Sequence, residues 1–428
     1  MNVSFYTLGC KVNQYETQCM IEQFEKRGFT VVENNTPADV FVINSCTVTA
    51  ESDRKSRQML RRFRKLNPSA IMVLTGCMPQ AFPCESKALS EADIVAGNTD
   101  PKQLPELVDR FKFDGERIVC IGEHKRDERF NTPSINRFSE HTRAFMKIQD
   151  GCDRYCTYCI IPTARGNIRS RSLSEIRAEA ISLVEAGFCE VVLVGINLTS
   201  FGRDTGINLC DAVDVVAEID GIKRIRLGSL EPDHISDEML ERLSRQDKFC
   251  PQFHLSLQSG CDKTLARMNR HYDSAFYYDL VSRIRKIFKE AAITTDIMVG
   301  FAGETEEEFK ENLEFAKKVG FALTHVFAYS RRAGTVAHGL PNQVTKSEKE
   351  KRSRQMIAAT KMSEQNFLNS QCGAIASVLF ETSDNNIYSG YTKNYTYVKV
   401  KSATNLCGKI ADVKILSAHD GYCMGDLL

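Results

Sequence analysis

The sequence predicts an α/β chain in three units. These are an N-terminal parallel α/β layer, a central partial (β/α)6 barrel and a small C-terminal OB-like antiparallel β-barrel. Three observations predict it. Two long stretches alternate β-branched runs with amphipathic helical segments. A polar stretch without apolar period separates them. The C-terminal end switches to short strands broken by Gly, Asn and Asp. The 428 residues suit roughly three domains at about 150 residues each.

The first unit, residues 1–122, places strands at Val3–Thr7, Val40–Asn44, Ile71–Thr75 and Ile94–Ala96. A helix carrying Tyr15, Met20, Ile21 and Phe24 lies between the first two, with Gly28 as its stop. Residues 123–141 read as a linker. The core, 142–365, offers strands at Phe145–Ile148, Glu190–Val194, Arg224–Leu227, Phe253–Leu257, Thr294–Val299 and His325–Tyr329, and ends in a charged helix at Lys346–Lys361. Residues 366–428 supply five strands: Ala374–Glu381, Ile387–Tyr391, Tyr395–Val400, Lys409–Leu416 and Tyr422–Leu427.

Charge and apolar pattern exclude several classes of function. Lys and Arg total 56 against 55 Asp and Glu, so a nucleic-acid or membrane partner must be met by a local patch. No run approaches 18 consecutive apolar residues, so no membrane partner is expected. Met1–Tyr6 reads as a strand, not a secretion signal, and a reducing cytoplasm is the expected location. There, 16 cysteines point to metal or redox chemistry instead of disulfides.

Two groups of cysteines stand out. Cys152-x3-Cys156-x2-Cys159 packs three thiols into one loop after the first core strand. A structural zinc site wants four ligands, yet the next cysteine is Cys189 and the nearest upstream histidine is His141. Three ligands suit a cubane iron–sulfur cluster with one open iron; an incomplete zinc knuckle is the alternative. Cys10, Cys46 and Cys77 each follow a small residue (Gly9, Ser45, Gly76) just past a predicted parallel strand, where ligands gather in open sheets. They suggest a second open cluster, or packing as small hydrophobes. The other ten cysteines share no spacing and read as packing or surface residues.

Cys-x3-Cys-x-Tyr-Cys at the top of a βα series resembles the radical S-adenosylmethionine superfamily. With a second three-cysteine set beginning in TLGCKVNQYET, the chain is similar to the methylthiotransferases. PTARGNIRSR (Pro162–Arg171), VGINLTSFG (Val194–Gly202), LSLQSGCDKTLARMNR (Leu255–Arg270) and DIMVGFAGET (Asp296–Thr305) extend the match over essentially the whole chain. KVNQYE after Cys10 resembles the branch acting on threonylcarbamoyladenosine in tRNA; the isopentenyladenosine branch has a QMN-type and the ribosomal-protein branch a PKN-type sequence there.

This resemblance implies two 4Fe-4S clusters and S-adenosyl-L-methionine as cofactors. Cys152, Cys156 and Cys159 would bind the radical-generating cluster, and Cys10, Cys46 and Cys77 the auxiliary one. Gly300 and Gly303 would let the backbone approach the cofactor, with Ala302 where the family commonly has Pro. Gly195, Ile196 and Asn197 stand where the superfamily usually has Gly-Gly-Glu. Tyr158 would set an aromatic face beside the cluster, and Ser256 and Gln258 end a strand where ribose contacts are typical. Arg270 would pair with the methionyl carboxylate. Ser229 and Glu231 would touch cofactor or substrate.

The same resemblance implies a methylthio group inserted at carbon 2 of the modified adenosine 3′ of the anticodon, with two S-adenosylmethionine equivalents consumed. That aromatic C–H is neither acidic nor electrophilic, and a radical route answers the difficulty. The partners implied are the tRNA anticodon stem-loop, an electron donor such as flavodoxin or ferredoxin, and a sulfur source. An arginine is expected to receive the anionic threonylcarbamoyl group. Alternatives left open are the isopentenyladenosine or ribosomal-protein chemistry and a non-catalytic iron–sulfur protein. For RNA, Arg54, Lys55, Arg57, Arg61, Arg62, Arg64 and Lys65 form one basic helix and Arg165, Arg169 and Arg171 a second patch. Tyr388, Tyr391, Tyr395 and Tyr397 of the small barrel would stack on bases or pack internally.

Overall fold

The computed structural model describes residues 1–34, 36–100, 102–136 and 142–428. Its first unit is a six-stranded parallel sheet of β1 (Asn2–Thr7), β2 (Thr30–Val32), β3 (Val40–Ser45), β4 (Ile71–Gly76), β5 (Ile94–Ala96) and β6 (Ile118–Cys120), ordered β2-β1-β3-β4-β5-β6. β3 and β4 are buried along their whole length because both faces are covered. Val40, Val42 and Val73 face one core with Met20 and Phe24 of the helix Lys11–Lys26. Phe41, Ile43, Met72 and Leu74 face another with Leu60 and Phe63 of the helix Ala50–Leu66. The four expected strands are present. β2 and β6, each three residues long, are additions.

The stretch read as a linker is strapped against its neighbours. The Tyr15 hydroxyl donates to the Pro133 carbonyl at 2.9 Å, the Asn136 N–H donates to Glu22 at 2.7 Å, and Ile135 sits in the main core. Residues 137–141, including His141, lie outside the described residues.

The central unit begins with β7 (Ala144–Lys147) and a short antiparallel pair, β8 (Gln149–Asp150) with β9 (Arg169–Ser170). β10 (Glu190–Val194) and β11 (Arg224–Leu227) complete a three-stranded parallel sheet, β11-β10-β7. β12 (Ser229–Leu230), β13 (Gln252–Leu255), β14 (Ala292–Val299) and β15 (Leu323–Ala328) form a second parallel sheet in sequential order. The break falls at Gly228, and an isolated parallel bridge joins Ile225 of β11 to Phe249, three residues before β13. This is the expected open six-unit barrel, its unit starts matching to within two residues. The N-terminal layer covers its lateral seam. Val12 and Tyr15 pack into the core beside β7, while beyond β15 Arg332 donates to Thr47 and Asp53, each at 2.7 Å.

The terminal helix is longer than expected, Lys346–Gln371, and runs unbroken across position 365. Gly373, at φ +88°, is the first glycine after Lys346 and stands just past its end. Leu368 on its last turns enters the core of the small barrel. That barrel is closed by β16 (Ile375–Asp384), β17 (Ile387–Thr392), β18 (Tyr397–Lys401), β19 (Ile410–His419) and β20 (Tyr422–Leu427), ordered β16-β17-β18-β20-β19. One pair, β18–β20, is parallel. It docks under the amino ends of the core strands. Arg224 donates to the Tyr391 and Ser377 carbonyls at 2.9 and 2.7 Å, and Arg226 to the Lys393 carbonyl at 2.9 Å. Among the described residues, no helix is long and apolar enough to cross a membrane.

Candidate functional site

Cys152, Cys156 and Cys159 lie on the loop between β8 and the helix Ile161–Arg165, at the carboxyl end of the barrel. A Cys159 N–H to Cys156 C=O bond of 2.9 Å tightens the loop. Burial pushes the Cys152 thiol up to about 11 and the Cys159 thiol up to about 12. Two donors reach the sulfurs: Arg270 Nη1 lies 3.3 Å from Cys156 Sγ and Asn197 Nδ2 3.9 Å from Cys152 Sγ. Tyr158, beside them, packs edge-on to Phe301 at 6.3 Å.

The other three cysteines come from far apart in sequence and meet at one edge of the N-terminal sheet. Cys10 follows β1, Cys46 follows β3, and Cys77 opens the helix Cys77–Ala81 directly after β4. A Cβ on Gly9 would lie 2.9 Å from Cys46 Cβ, so the Cys10 and Cys46 turns touch. An asparagine clasp locks them. Asn44 donates to the Asn13 carbonyl and to Thr17, both at 3.0 Å, while Asn13 approaches Asn44 and the Ser45 carbonyl at 3.4 Å. Ser45 Oγ donates to the Thr75 carbonyl at 2.6 Å and accepts from the Met78 N–H at 3.2 Å, fixing the third turn. Gly76, at φ +97°, has no room for a side chain, because a Cβ would stand 2.6 Å from the Ser45 carbonyl oxygen. Burial raises the Cys46 thiol and pushes Cys77 up to about 12, against the nearby Arg165 charge. Arg165 Nε lies 3.3 Å from Cys77 Sγ.

A cavity of about 670 Å³ joins the units. Gly9, Cys10 and Lys11 line it from the first, Gly195 and Ser229 from the carboxyl ends of the core strands, and Tyr391 and Tyr395 from the small barrel. His254, Asp296 and His325 line its lumen, with ligand atoms all within 4.8 Å of one another. His254 Nε2 stands 3.3 Å from Asp296 Oδ2, and its Nδ1 lies 3.0 Å from Thr294 Oγ1. Lys11 extends towards Phe145, its ammonium 5.9 Å from the ring centroid. Burial, with the Arg143 and Arg226 guanidiniums nearby, lowers its pKa to about 8. Lys11, His254, Asp296 and His325 escaped sequence reading. Their signal was polar residues at alternate, inward positions of otherwise apolar strands, and a lysine adjoining Cys10.

The second basic patch proposed for RNA is overturned. Arg165 and Arg171 are 1% exposed and Arg169 4%. They belong to buried ion pairs, of which those to Glu16 join the first two units. Lys147 meets Glu16 and Asp150, each at 2.7 Å; Arg165 forks onto Glu16; Arg169 reaches Asp150 at 3.3 Å; Arg171 pairs with Glu179. Guanidiniums so placed have no surface to offer a phosphate. Of the first set, Arg54, Arg57, Arg61, Arg62 and Lys65 line one open groove, whereas Arg64 turns away to Asp93 at 2.6 Å.

Other expected residues take these positions. Arg270 is engaged by Glu231, by the Tyr272 hydroxyl at 2.9 Å and by the Ser256 carbonyl at 3.2 Å. Gly195 abuts Gln149, whose Oε1 accepts from the Asn197 N–H at 2.8 Å. Gln258, at φ +66°, bonds back to β14 through the Asp296 carbonyl at 2.9 Å. Gly300 and Gly303 have φ +68° and +76°, and the Gly300 N–H donates to Glu304 at 2.8 Å. The volume beside the Gly300 α-carbon is filled by Lys349, so packing of the terminal helix requires that glycine. A Cβ on Gly303 would stand 3.6 Å from Arg267 Nε. In the small barrel Tyr388 is buried in the core, and Tyr391 stacks on Tyr395 at 4.3 Å beneath Arg143. Tyr388 thus packs internally, whereas Tyr391 and Tyr395 also face the cavity.

Two family models match the chain, uncharacterized protein family UPF0004 over residues 2–97 and the radical SAM superfamily over 146–316. Threonylcarbamoyladenosine tRNA methylthiotransferase MtaB of Bacillus subtilis is 37% identical over 100% of this chain and 96% of its own length. The chain belongs to the radical S-adenosylmethionine tRNA methylthiotransferases. The tRNA-2-methylthio-N(6)-dimethylallyladenosine synthase of Clostridium botulinum is 32% identical over 98% of the chain and 95% of its own length. Among solved structures, the radical S-adenosylmethionine methyltransferase TsrM of Kitasatospora setae superposes with TM-score 0.59 at 14% identity, covering 78% of this chain and 76% of that one. That likeness extends to fold alone. The methylthiotransferase is thus an enzyme whose cofactors are a [4Fe–4S] cluster and S-adenosylmethionine.

Proposed function

We propose that this methylthiotransferase inserts a methylthio group at carbon 2 of N6-threonylcarbamoyladenosine at position 37 of tRNA, with two [4Fe–4S] clusters and two S-adenosylmethionine equivalents. The observation that carries it is the single cavity reached by Cys10 and by the carboxyl ends of the core strands at Gly195 and Ser229. Substrate, sulfur and cofactor would share one cavity there. Both thiol sets fit a cubane with an open iron. Each offers three sulfurs, and each receives a guanidinium donor, Arg270 on Cys156 and Arg165 on Cys77. When bound, the cofactors supply radical generation and sulfur.

The chain's own residues do the rest. Cys152, Cys156 and Cys159 would hold one cluster and Cys10, Cys46 and Cys77 the other. Metal binding, not bulk pH, would deprotonate thiols held as high as Cys77 and Cys159. Arg270 and Asn197 donate towards thiolate charge, while Gly195, Ser229, Glu231, Ser256 and Gln258 frame the cofactor end. Tyr158, Gly300 and Gly303 would back the cofactor. The stacked Tyr391 and Tyr395 would line the floor of the cavity. The groove on the helix Ala50–Leu66 would grip tRNA phosphates. An electron donor of the flavodoxin or ferredoxin class, a sulfur source and a cytoplasmic location complete the reading.

Anaerobic iron analysis should give about eight irons per chain, two cubanes. Mass spectrometry of tRNA nucleosides after incubation with reductant and S-adenosylmethionine should show the methylthio derivative of threonylcarbamoyladenosine. Appearance of the derivative on isopentenyladenosine instead would overturn the substrate.

A further inference from the structure

We infer that Lys11, with His325 and the His254–Asp296 pair beside it, forms the receptor for the threonylcarbamoyl side chain, the Lys11 ammonium receiving its carboxylate. The inference rests on the proposed substrate and names what recognises it. An arginine was the expected receiver, but the arginines near the cavity are committed. Arg143 pairs with Glu381 at 2.5 Å and lies on Tyr391 and Tyr395; Arg226 pairs with Glu190 at 3.0 Å; Arg270 pairs with Glu231. Lys11 is not committed. Among the described residues no carboxylate comes within salt-bridge distance of its ammonium, and the side chain is exposed on the cavity that three units of the fold line.

The surroundings favour an anion. Lys11, Arg143 and Arg226 stand together against Glu190 and Glu381, each already paired with an arginine. An ammonium in this setting gains most from a carboxylate brought in by a ligand. The rest of the wall matches the remaining groups of that ligand. The Asp296 carboxylate accepts, as the carbamoyl N–H requires; the imidazoles of His254 and His325 suit a hydroxyl; and Leu323 and Phe327 suit a methyl. Asp296 and His325 are direct cross-strand partners, and His254 is paired with Thr294 two residues before Asp296, so the receptor is built on strands and not on loops. An apolar isopentenyl group in the same place would leave these polar atoms unpaired, which a site built for hydrogen bonds rejects strongly.

The test uses full-length protein and two anticodon stem-loops, one with N6-threonylcarbamoyladenosine and one with its threonine amide, which lacks the charge. Fluorescence anisotropy should give wild type a preference for the acid of about tenfold or more. Lys11→Met should bring that ratio close to one, and Lys11→Arg, which keeps the cation, should restore most of it. An unchanged ratio in Lys11→Met overturns the inference. So does a wild-type ratio near one with both stem-loops weakened equally by Lys11→Met, which would make Lys11 a phosphate contact. Nucleoside mass spectrometry of wild type separates the two readings. If threonylcarbamoyladenosine is modified but the ratio does not respond to Lys11, only the receptor assignment falls. If it is never modified, the proposed function falls with it.

Discussion

Cys152, Cys156 and Cys159 occupy one loop, whereas Cys10, Cys46 and Cys77 come from three strand ends. The contrast separates two ways of making a three-thiol site. A loop site depends on a few turns, here tightened by one backbone bond and reached by Arg270 and Asn197. A strand-end site depends on a whole sheet being in register, here β1, β3 and β4 paired in parallel with their turns clasped by Asn13, Asn44 and Ser45. The second kind is hidden from motif spacing. Damage to the sheet, or to what packs on it, reaches it from a distance.

The sharpest way to break that comparison is to remove one thiol from each. Cys156→Ala should lower deoxyadenosine formation roughly 10³-fold or more. Cys46→Ala should retain some cofactor cleavage yet lose methylthiolation, and equal loss of both activities would erase the distinction. Arg165→Met comes next. It removes one of the cations that balance the buried Glu16 and Asp150, leaving Lys147 and Arg169, and should cost about 3 kcal/mol, read as a lower urea midpoint. Because Arg165 touches Cys77, the variant should also lose iron from the strand-end site in preference to the loop site.

A smaller effect is expected from acid. Burial alone would raise the Glu16 and Asp150 carboxyls, but Lys147 and Arg165 outweigh it and hold both below the ordinary carboxylate range. Groups depressed in the folded state contribute stability that is present above their unfolded pKa, about 4, and is lost as pH falls below it. The urea midpoint of the metal-free chain should therefore fall below pH ~4, and Asp150→Asn should flatten that fall. The smallest effect concerns the open groove. Arg57→Ala with Lys65→Ala should raise the tRNA dissociation constant about tenfold and reduce its salt slope by roughly two. Arg64→Ala, already bonded to Asp93 and the Ala70 carbonyl, should instead reduce stability.

Much of this was legible in the sequence. The strand runs of the core and small barrel are β-branched, bounded by turn residues and set at βα spacing, and all are in place. Cys10, Cys46 and Cys77 were visible because each follows a small residue after a strand. What stayed hidden depends on contact between units. PTARGNIRSR reads as a basic patch until Glu16 and Asp150 are found folded against it. Lys11 is one charge among many until the small barrel closes the cavity around it. Residues 123–136 look like a linker because their partners, Tyr15 and Glu22, lie over a hundred positions earlier. That Gly300 also makes room for Lys349 of the terminal helix shows only in the fold.

The helix Lys346–Gln371 gives the molecule a fixed dimension. Twenty-six residues span about 39 Å, and the rod is pinned to the core where Arg352 meets Glu304 at 2.7 Å and to the small barrel where Leu368 is buried. With Arg224 and Arg226 bonded across the same junction, core and barrel are tied at two separated points. The small barrel is thus held to the core by a strut and by a clasp, and a shift of one would have to break the other.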